Sequence, residues 1–202
     1  MITQELLIGL IGFAFVSSAT PGPNNLMLMA SGTNFGFTRT IPHMLGVTGG
    51  FVIMVILVGI GLAKLFEAFP VLRLALKIGS VAYLVYLAWH IATASAPSAN
   101  QVASAKPMTF LQASLFQWVN PKAWTMALGA VSVYVPANNP IFGLLLVALV
   151  FGLINLPVVS GWAAMGVQLR RFLQDPMRLR IFNVTAAILL LASLYPVLFD
   201  KH

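Results

Sequence analysis

The sequence predicts an all-α membrane protein with six transmembrane helices, arranged as two inverted three-helix repeats in which helices one and four are broken. Three observations predict this fold class. Of the 202 residues, 59% are hydrophobic and 7% are charged, whereas about 25% of residues are charged in an ordinary soluble domain. Apolar segments long enough to cross a bilayer recur along the whole chain. A proline interrupts equivalent positions of its two halves.

Composition also excludes several functions. The chain contains no cysteine, which rules out disulfides and thiolate metal sites. Its net charge of +7 arises from basic residues spread along the sequence, whereas a nucleic-acid-binding surface needs them clustered on one face. We therefore expect membrane lipid, and no nucleic acid, as a partner. The three histidines lack metal-ligand spacing, and we expect no cofactor.

The predicted spans are separated by turn residues such as glycine and proline. With about 20 apolar residues taken as one crossing, the spans cover 4–31, 41–65, 69–93, 109–134, 140–167 and 181–199. The whole chain, 1–202, forms a single membrane domain, with a first repeat over 1–93, a flexible linker over 94–108 and a second repeat over 109–202. The first span lacks the basic start of a signal peptide, so we expect it to be retained.

Basic residues near the span ends predict the orientation of the chain. The loops after spans one, three and five carry more Lys and Arg than the opposite loops, chiefly through the segment from Arg170 to Arg180. Cytoplasmic loops hold the positive excess in membrane proteins. Both termini are therefore predicted to lie outside the cytoplasm.

The two halves carry matching proline breaks inside spans one and four. Shifting the second half by 100 positions places Pro121 on Pro21. A proline removes a backbone donor and clashes with the carbonyl four residues before it, so it breaks or kinks a helix. In hydrocarbon such a break is tolerated only where it is buried in protein or lines a cavity. Because two three-span halves insert with opposite orientations, the breaks predict an inverted repeat with a site near the membrane midplane.

The first break is dense in prolines and side-chain amides. It comprises Thr20, Pro21, Gly22, Pro23, Asn24 and Asn25. Half-helix ends and unwound carbonyls attract opposite charges, so this segment suits the two charged ends of an amino acid. The alternative is that Pro21 and Pro23 only kink a packing helix, while the two amides satisfy the freed carbonyls.

The second break, formed by Asn120, Pro121 and Lys122, carries a charge in the middle of span four. A charge at the bilayer centre costs a few kcal/mol and by default marks a substrate site or pathway. We predict that Lys122 contacts a substrate carboxylate or holds the resting counter-charge of the cavity. The alternative is that Lys122 caps the carbonyls freed by Pro121.

Other small and polar residues of the spans favour packing roles. Asn155 and Pro157 interrupt span five, where a packing kink is favoured and cavity lining is the alternative. Gly46 and Gly50 have the spacing that lets two helices approach closely. His43 lies near a predicted span end, where we expect an interfacial or hydrogen-bonded structural histidine.

Four stretches of the chain are similar, in order and spacing, to one family of exporters. They are Ser18-Ala19-Thr20-Pro21-Gly22-Pro23-Asn24-Asn25, Asn34-Phe35-Gly36-Phe37 followed by Gly46, Tyr83-Leu84 to Leu87-Ala88-Trp89, and Lys106-Pro107 leading into Val119-Asn120-Pro121-Lys122. Together they resemble the LysE superfamily, RhtB-type branch, over essentially the full chain. Within it, the third and fourth stretches look most like the cysteine and O-acetylserine exporters.

The resemblance implies an exporter of amino acids or their derivatives in the inner membrane, driven by an ion gradient and assembling as a homodimer; with this location, the termini predicted outside the cytoplasm are periplasmic. It assigns function to the Pro-Gly-Pro-Asn positions of the first break and the Asn-Pro-Lys positions of the second. The coupling stays open between titration of Lys122 and use of the charge difference across the membrane, because no carboxylate lies near a predicted mid-span.

Two other classes of protein compete with an exporter of amino acids. An intramembrane enzyme needs paired acids, a serine and histidine constellation or metal ligands inside the spans. The four acids, Glu5, Glu67, Asp175 and Asp200, all lie at span ends or in loops, so we expect no enzyme. A non-catalytic membrane scaffold, or an exporter of another small solute, is the remaining alternative.

Overall fold

The structure, a computed structural model, describes residues 4–62, 68–93, 106–170, 172–173 and 175–192. Within these ranges it contains eight α-helices and no strand, which confirms the all-α prediction. The helices are α1 (Gln4–Ala19), α2 (Pro23–Phe35), α3 (Phe37–Leu57, continued by a π-helical turn over Val58–Leu62), α4 (Pro70–Ala92), α5 (Phe110–Val119), α6 (Pro121–Tyr134), α7 (Pro140–Arg170) and α8 (Pro176–Ala192). Most of the predicted linker, 94–105, lies outside the described residues.

Three parts of the described chain are long and apolar enough to cross a membrane. Two are the continuous segments Phe37–Gly61 and Pro140–Arg170. The third is the pair α1 and α2, which meets the same criteria when taken as one span bent by 55°. These long apolar helices make the chain a multi-pass membrane protein.

Prolines determine where most of the helices begin. Of the eight described α-helices, α2, α4, α6, α7 and α8 start at a proline, a position where the missing N–H has no helical partner to lose. Pro21 and Pro121 thus lie at true breaks, as predicted. At Asn155 and Pro157, α7 continues through Pro157 without ending, and a kink at this proline stays a prediction.

The connection between α2 and α3 is shorter than predicted. The segment from Gly32 to Gly36 carries the turn signals, yet the chain reverses at Gly36 alone, whose φ of 80° favours glycine. Arg39 lies in the first turn of α3.

The two halves of the chain are interleaved. The pair α1 and α2 packs mainly on α7 of the second half, and α5 packs mainly on α3 of the first half. The long helices α3 and α7 also pack on each other, as do α4 and α8. Neither half therefore has a core of its own.

The predicted close approach at Gly46 and Gly50 is confirmed. A Cβ atom at Gly46 would overlap the carbonyl oxygen of Phe110, and one at Gly50 would lie 2.5 Å from the Cα atom of Ser114. The hydroxyl of Ser114 donates to the carbonyl of Gly46 at 3.0 Å. Glycines on α3 thus let α5 approach backbone to backbone, which brings the second break close to the first.

Candidate functional site

The two breaks face each other across a cavity. The Lys122 side chain reaches from the start of α6 to the first break, where its Nζ atom donates to the carbonyl of Thr20. Gly22 leaves the room for it, because a Cβ atom there would lie 2.7 Å from the Cδ atom of Lys122. Positions 22 and 122, which coincide when the halves are overlaid by 100 residues, are therefore in contact.

The backbone at each break is capped by an asparagine. At the second break, the Oδ1 atom of Asn120 accepts from the backbone N–H of Lys122 at 3.1 Å, as an N-cap of α6. At the first break, the Nδ2 atom of Asn25 donates to the carbonyls of Ser18 at 2.8 Å and Thr20 at 2.9 Å. Asn25 thus satisfies carbonyls left free at the end of α1, which is the structural role weighed for it above.

A reciprocal pair of amides joins α2 to α5. Asn24 donates from Nδ2 to Oε1 of Gln117 at 2.8 Å, and Gln117 returns a hydrogen bond from Nε2 to Oδ1 of Asn24 at 3.1 Å. Gln117 is fully buried and also donates to the carbonyl of Ala113. The sequence analysis missed Gln117, although a long polar side chain one turn before Asn120 in an apolar span was a signal for it.

Asn155 connects three helices behind the breaks. Its Oδ1 atom accepts from the hydroxyl of Thr48 at 2.9 Å, and its Nδ2 atom donates to the hydroxyl oxygen of Ser18 at 3.2 Å. These bonds tie α7 to α3 and α1. Asn155 is buried beside the cavity, which favours the lining role over a kink.

The cavity contains about 350 Å³ of unfilled space, including the space at its open mouth. Its walls are formed by Ser17, Ser18, Gly22, Asn24, Asn25, Val47, Phe51, Gln117, Asn120, Lys122, Ala123, Met126, Asn155 and Val159. Six of the predicted site residues thus line it. The other four, Thr20, Pro21, Pro23 and Pro121, shape the breaks without forming the wall.

Several polar atoms of the cavity wall have no partner among the described residues. Two N–H groups of Lys122, the Nδ2 amide of Asn120 and the hydroxyl hydrogen of Ser18 remain available as donors. The Oδ1 atom of Asn25 remains available as an acceptor, since the hydrogen bonds of that amide to Ser18 and Thr20 use Nδ2. The donors on Asn120 and Lys122 lie on the second break and the acceptor on the first, so a ligand with an anionic end and a hydrogen-bond donor end would span both.

Metal chemistry finds no support in the described part of the chain. It holds no group of three or more His, Cys, Asp or Glu side chains placed to bind a metal ion. The polar groups of the cavity wall are side-chain amides, hydroxyls and one ammonium group.

Facing helix breaks around a polar cavity, within a bundle of membrane-crossing helices, define a membrane translocator. The chain belongs to the LysE type translocator family, whose profile matches residues 15–193. This confirms the resemblance noted from the sequence. It also supports a transporter rather than an enzyme.

Curated relatives extend over nearly the whole chain. The chain is 29% identical over 190 residues to the cysteine/O-acetylserine efflux protein of Escherichia coli K12, covering 94% of this chain and 95% of the relative. It is 29% identical over 191 residues to the protein of the same name from Salmonella typhimurium LT2, covering 94% and 95%. No solved structure was found to match the chain.

Proposed function

We propose that the chain exports a small amino acid or amino-acid derivative across the inner membrane, with the cavity between the two breaks as the substrate site. The observation that carries this proposal is the pairing of free donors on the second break with a free acceptor on the first. Relatives named for efflux of cysteine and O-acetylserine favour small polar amino acids as substrates. A cavity that ends on helix breaks suits their opposite charges.

The substrate carboxylate is assigned to the donors at the second break. Lys122 and Asn120 supply an ammonium group and an amide side by side, and a charge-assisted hydrogen bond is stronger than a neutral one. The substrate ammonium group is assigned to the Oδ1 atom of Asn25 and to the carbonyl of Thr20. The ammonium group of Lys122 donates to that carbonyl in the structure. Substrate binding thus replaces the ammonium group of Lys122 at this carbonyl with that of the substrate.

Alternating access is proposed from the packing of the helices. In an inverted repeat, the broken helix of each half packs on the long helix of the other, and like elements pack on each other across the two-fold axis. The contacts of α1 and α2 with α7, of α5 with α3, and of α4 with α8 follow this pattern, which supports six spans in two inverted repeats. Because the halves are interleaved, we assign the movement to the broken helices sliding on α3 and α7, not to two rigid halves.

Orientation and assembly extend the proposal. The positive excess near Arg170 supports a cytoplasmic position for this end of the bundle and periplasmic termini. A homodimer in the membrane is proposed from the family resemblance. Single cysteines introduced into this cysteine-free chain can be labelled from one side of the membrane, and chemical crosslinking in the membrane tests the dimer.

The experiment that tests the site is counterflow of labelled amino acids in proteoliposomes. Cysteine, O-acetylserine, homoserine, threonine and lysine are compared as substrates. We expect Lys122→Ala to weaken apparent substrate affinity by about tenfold to a hundredfold, the loss of a hydrogen bond to a charged group of about 1.5–3 kcal/mol. The matched control is Lys106→Ala, an exposed lysine outside the helices, which should keep the wild-type rate.

Two outcomes would contradict parts of the proposal. A correctly inserted Lys122→Ala variant with unchanged apparent affinity would remove Lys122 from the substrate site. Folded wild-type protein that gives no counterflow with any amino acid would exclude this substrate class and favour another small solute or a scaffold.

A further inference from the structure

His43 is buried without a hydrogen-bond partner in the described part of the chain. Its side chain is 2% exposed, and both ring nitrogens, Nδ1 and Nε2, are sealed from solvent and unpaired there. Buried polar atoms in native proteins are nearly always hydrogen-bonded, and each exception calls for an explanation. The expectation of an interfacial or hydrogen-bonded structural histidine is therefore wrong. If position 43 served packing alone, phenylalanine or leucine there would give a more stable protein than histidine, because neither leaves a buried polar atom unpaired.

The position of His43 connects it to the substrate cavity. Residues 43, 47 and 51 lie four apart on one face of α3, and Val47 and Phe51 line the cavity. His43 lies one turn further toward the start of α3, about 6 Å along the helix axis from Val47. Val47 and Val159 of the cavity wall also belong to an apolar cluster, here called the seal, together with Leu28, Met44, Ala113 and Ala163.

Hydroxyl groups lie beyond the seal. The oxygens of Ser31 and Thr40 hydrogen-bond to each other at 2.9 Å, between α2 and the first turn of α3. Thr40 precedes His43 by three residues and so lies close to its face of the helix. Along α3, His43 thus lies between the seal residue Val47 and the hydroxyl pair of Ser31 and Thr40.

Few ionisable groups lie on the helices that pack around His43. The packed helices α2 and α5 contain none, α7 contributes only Arg170, and α6 contributes Lys122 and Tyr134. On α3 itself the only other ionisable group is Arg39. None of these helices carries a carboxylate, so an imidazolium at position 43 would have neither a counter-ion nor an acceptor while the seal is closed.

We propose that His43 binds the coupling proton of the transport cycle and thereby controls the seal, an inference that rests on the proposed export function. When movement of the helices admits water from the cavity to the ring, a proton from outside binds one ring nitrogen. The resulting charge is costly in a dry, apolar seal, so it favours the conformation in which the seal opens and water reaches the ring. Release of this proton to the cytoplasm restores the neutral ring, and the seal closes behind the substrate.

Histidine suits this role because its ordinary titration range includes physiological pH. One proton moves inward for each substrate molecule moved outward, and the imidazole returns to its neutral form in every cycle. The proposal also answers how a bundle without an intramembrane carboxylate couples to a proton gradient.

The test separates exchange from coupling in proteoliposomes containing the full chain. Counterflow without a gradient measures substrate exchange, and accumulation driven by an imposed pH gradient measures coupling. We expect His43→Phe and His43→Gln to lose gradient-driven accumulation while keeping counterflow. The matched control is Leu45→Met, which alters an exposed residue of α3 outside the seal and should keep both activities.

Each outcome is decisive. Gradient-driven accumulation that survives in either His43 variant overturns the proposal, as does a wild-type protein that exchanges substrate without responding to the pH gradient. Absence of counterflow in the wild type would instead overturn the export function.

A second measurement covers variants that fail to insert. In a chain carrying His90→Gln and His202→Gln, the remaining ¹⁵N-labelled imidazole of His43 reports its charge directly by NMR. Addition of substrate at constant pH should shift this signal between its charged and neutral positions. A signal that ignores the substrate would overturn the proposal.

Discussion

The half-helices that follow the two breaks, α2 and α6, occupy equivalent places in the sequence but pack differently. On α2, Gly32 lies so close to α7 that a Cβ atom would overlap the carbonyl oxygen of Ala163, and Gly166 on α7 lies equally close to the carbonyl of Met29. On α6, the position equivalent to Gly32 is Ser132, which is exposed. The α6 helix has little contact with α3, whereas α2 lies along α7.

This difference indicates which end of the bundle is closed. In the proposed inverted repeat, α2 and α6 are equivalent helices. One conformation has α2 tightly packed and α6 loosely packed, and the other conformation has these two packings exchanged. The bundle is thus tightly packed where α2 meets α7 and looser where α6 faces α3. Under the proposed alternating access and orientation, the tightly packed end is the cytoplasmic one.

The largest effect is expected from filling the closed contact. Gly32→Leu would push α2 away from the α7 backbone, which cannot yield as a flexible side chain does, and should cost about 3 kcal/mol or more of stability. Ser132→Leu, at the equivalent exposed position, should change stability by no more than about 0.5 kcal/mol. Thermal unfolding in detergent and counterflow measure both. Equal effects of the two substitutions would contradict the asymmetry between α2 and α6.

A smaller effect is expected at the amide pair that ties α2 to α5. Gln117→Leu leaves the Asn24 amide without its partner and should cost about 1–3 kcal/mol. The equivalent residue of the first half, Ser17, bonds only to carbonyls of its own helix, so Ser17→Ala should stay within about 0.5 kcal/mol of wild type. A double-mutant cycle with Asn24→Leu should show strong coupling to position 117, and an additive cycle would exclude the pair.

The smallest effect concerns the caps of the two breaks. Asn120→Ala removes the N-cap of α6 and should cost about 1 kcal/mol, whereas Asn120→Gly should cost only a few tenths. Gly22, the N-cap position of α2, has no side chain to lose. Asn120→Asp keeps the cap but replaces the Nδ2 donor, so unfolding should stay near wild type while substrate affinity falls. Unchanged affinity in Asn120→Asp would remove the amide from the substrate site.

Local chemistry made the breaks predictable, and tertiary contacts explain what the sequence analysis missed. Proline and asparagine act on their own backbone, so the segments around Pro21 and Pro121 could be identified without knowledge of neighbouring helices. The partner of Gln117 and the burial of His43 depend on how α2, α3 and α5 meet, which periodicity does not specify. At Pro157 the sequence signal marks a kink, and α7 continues through it without ending.

The contact between Lys122 and Thr20 also bears on how the protein is made. It joins residues 102 positions apart, so the first break enters the membrane while its partner is still being synthesised. Until the second break is inserted, the carbonyl of Thr20 has Asn25 as a donor but lacks the ammonium group of Lys122. The proposed substrate site is thus assembled only after both breaks have inserted, and a truncated chain would leave the first break without its charged partner.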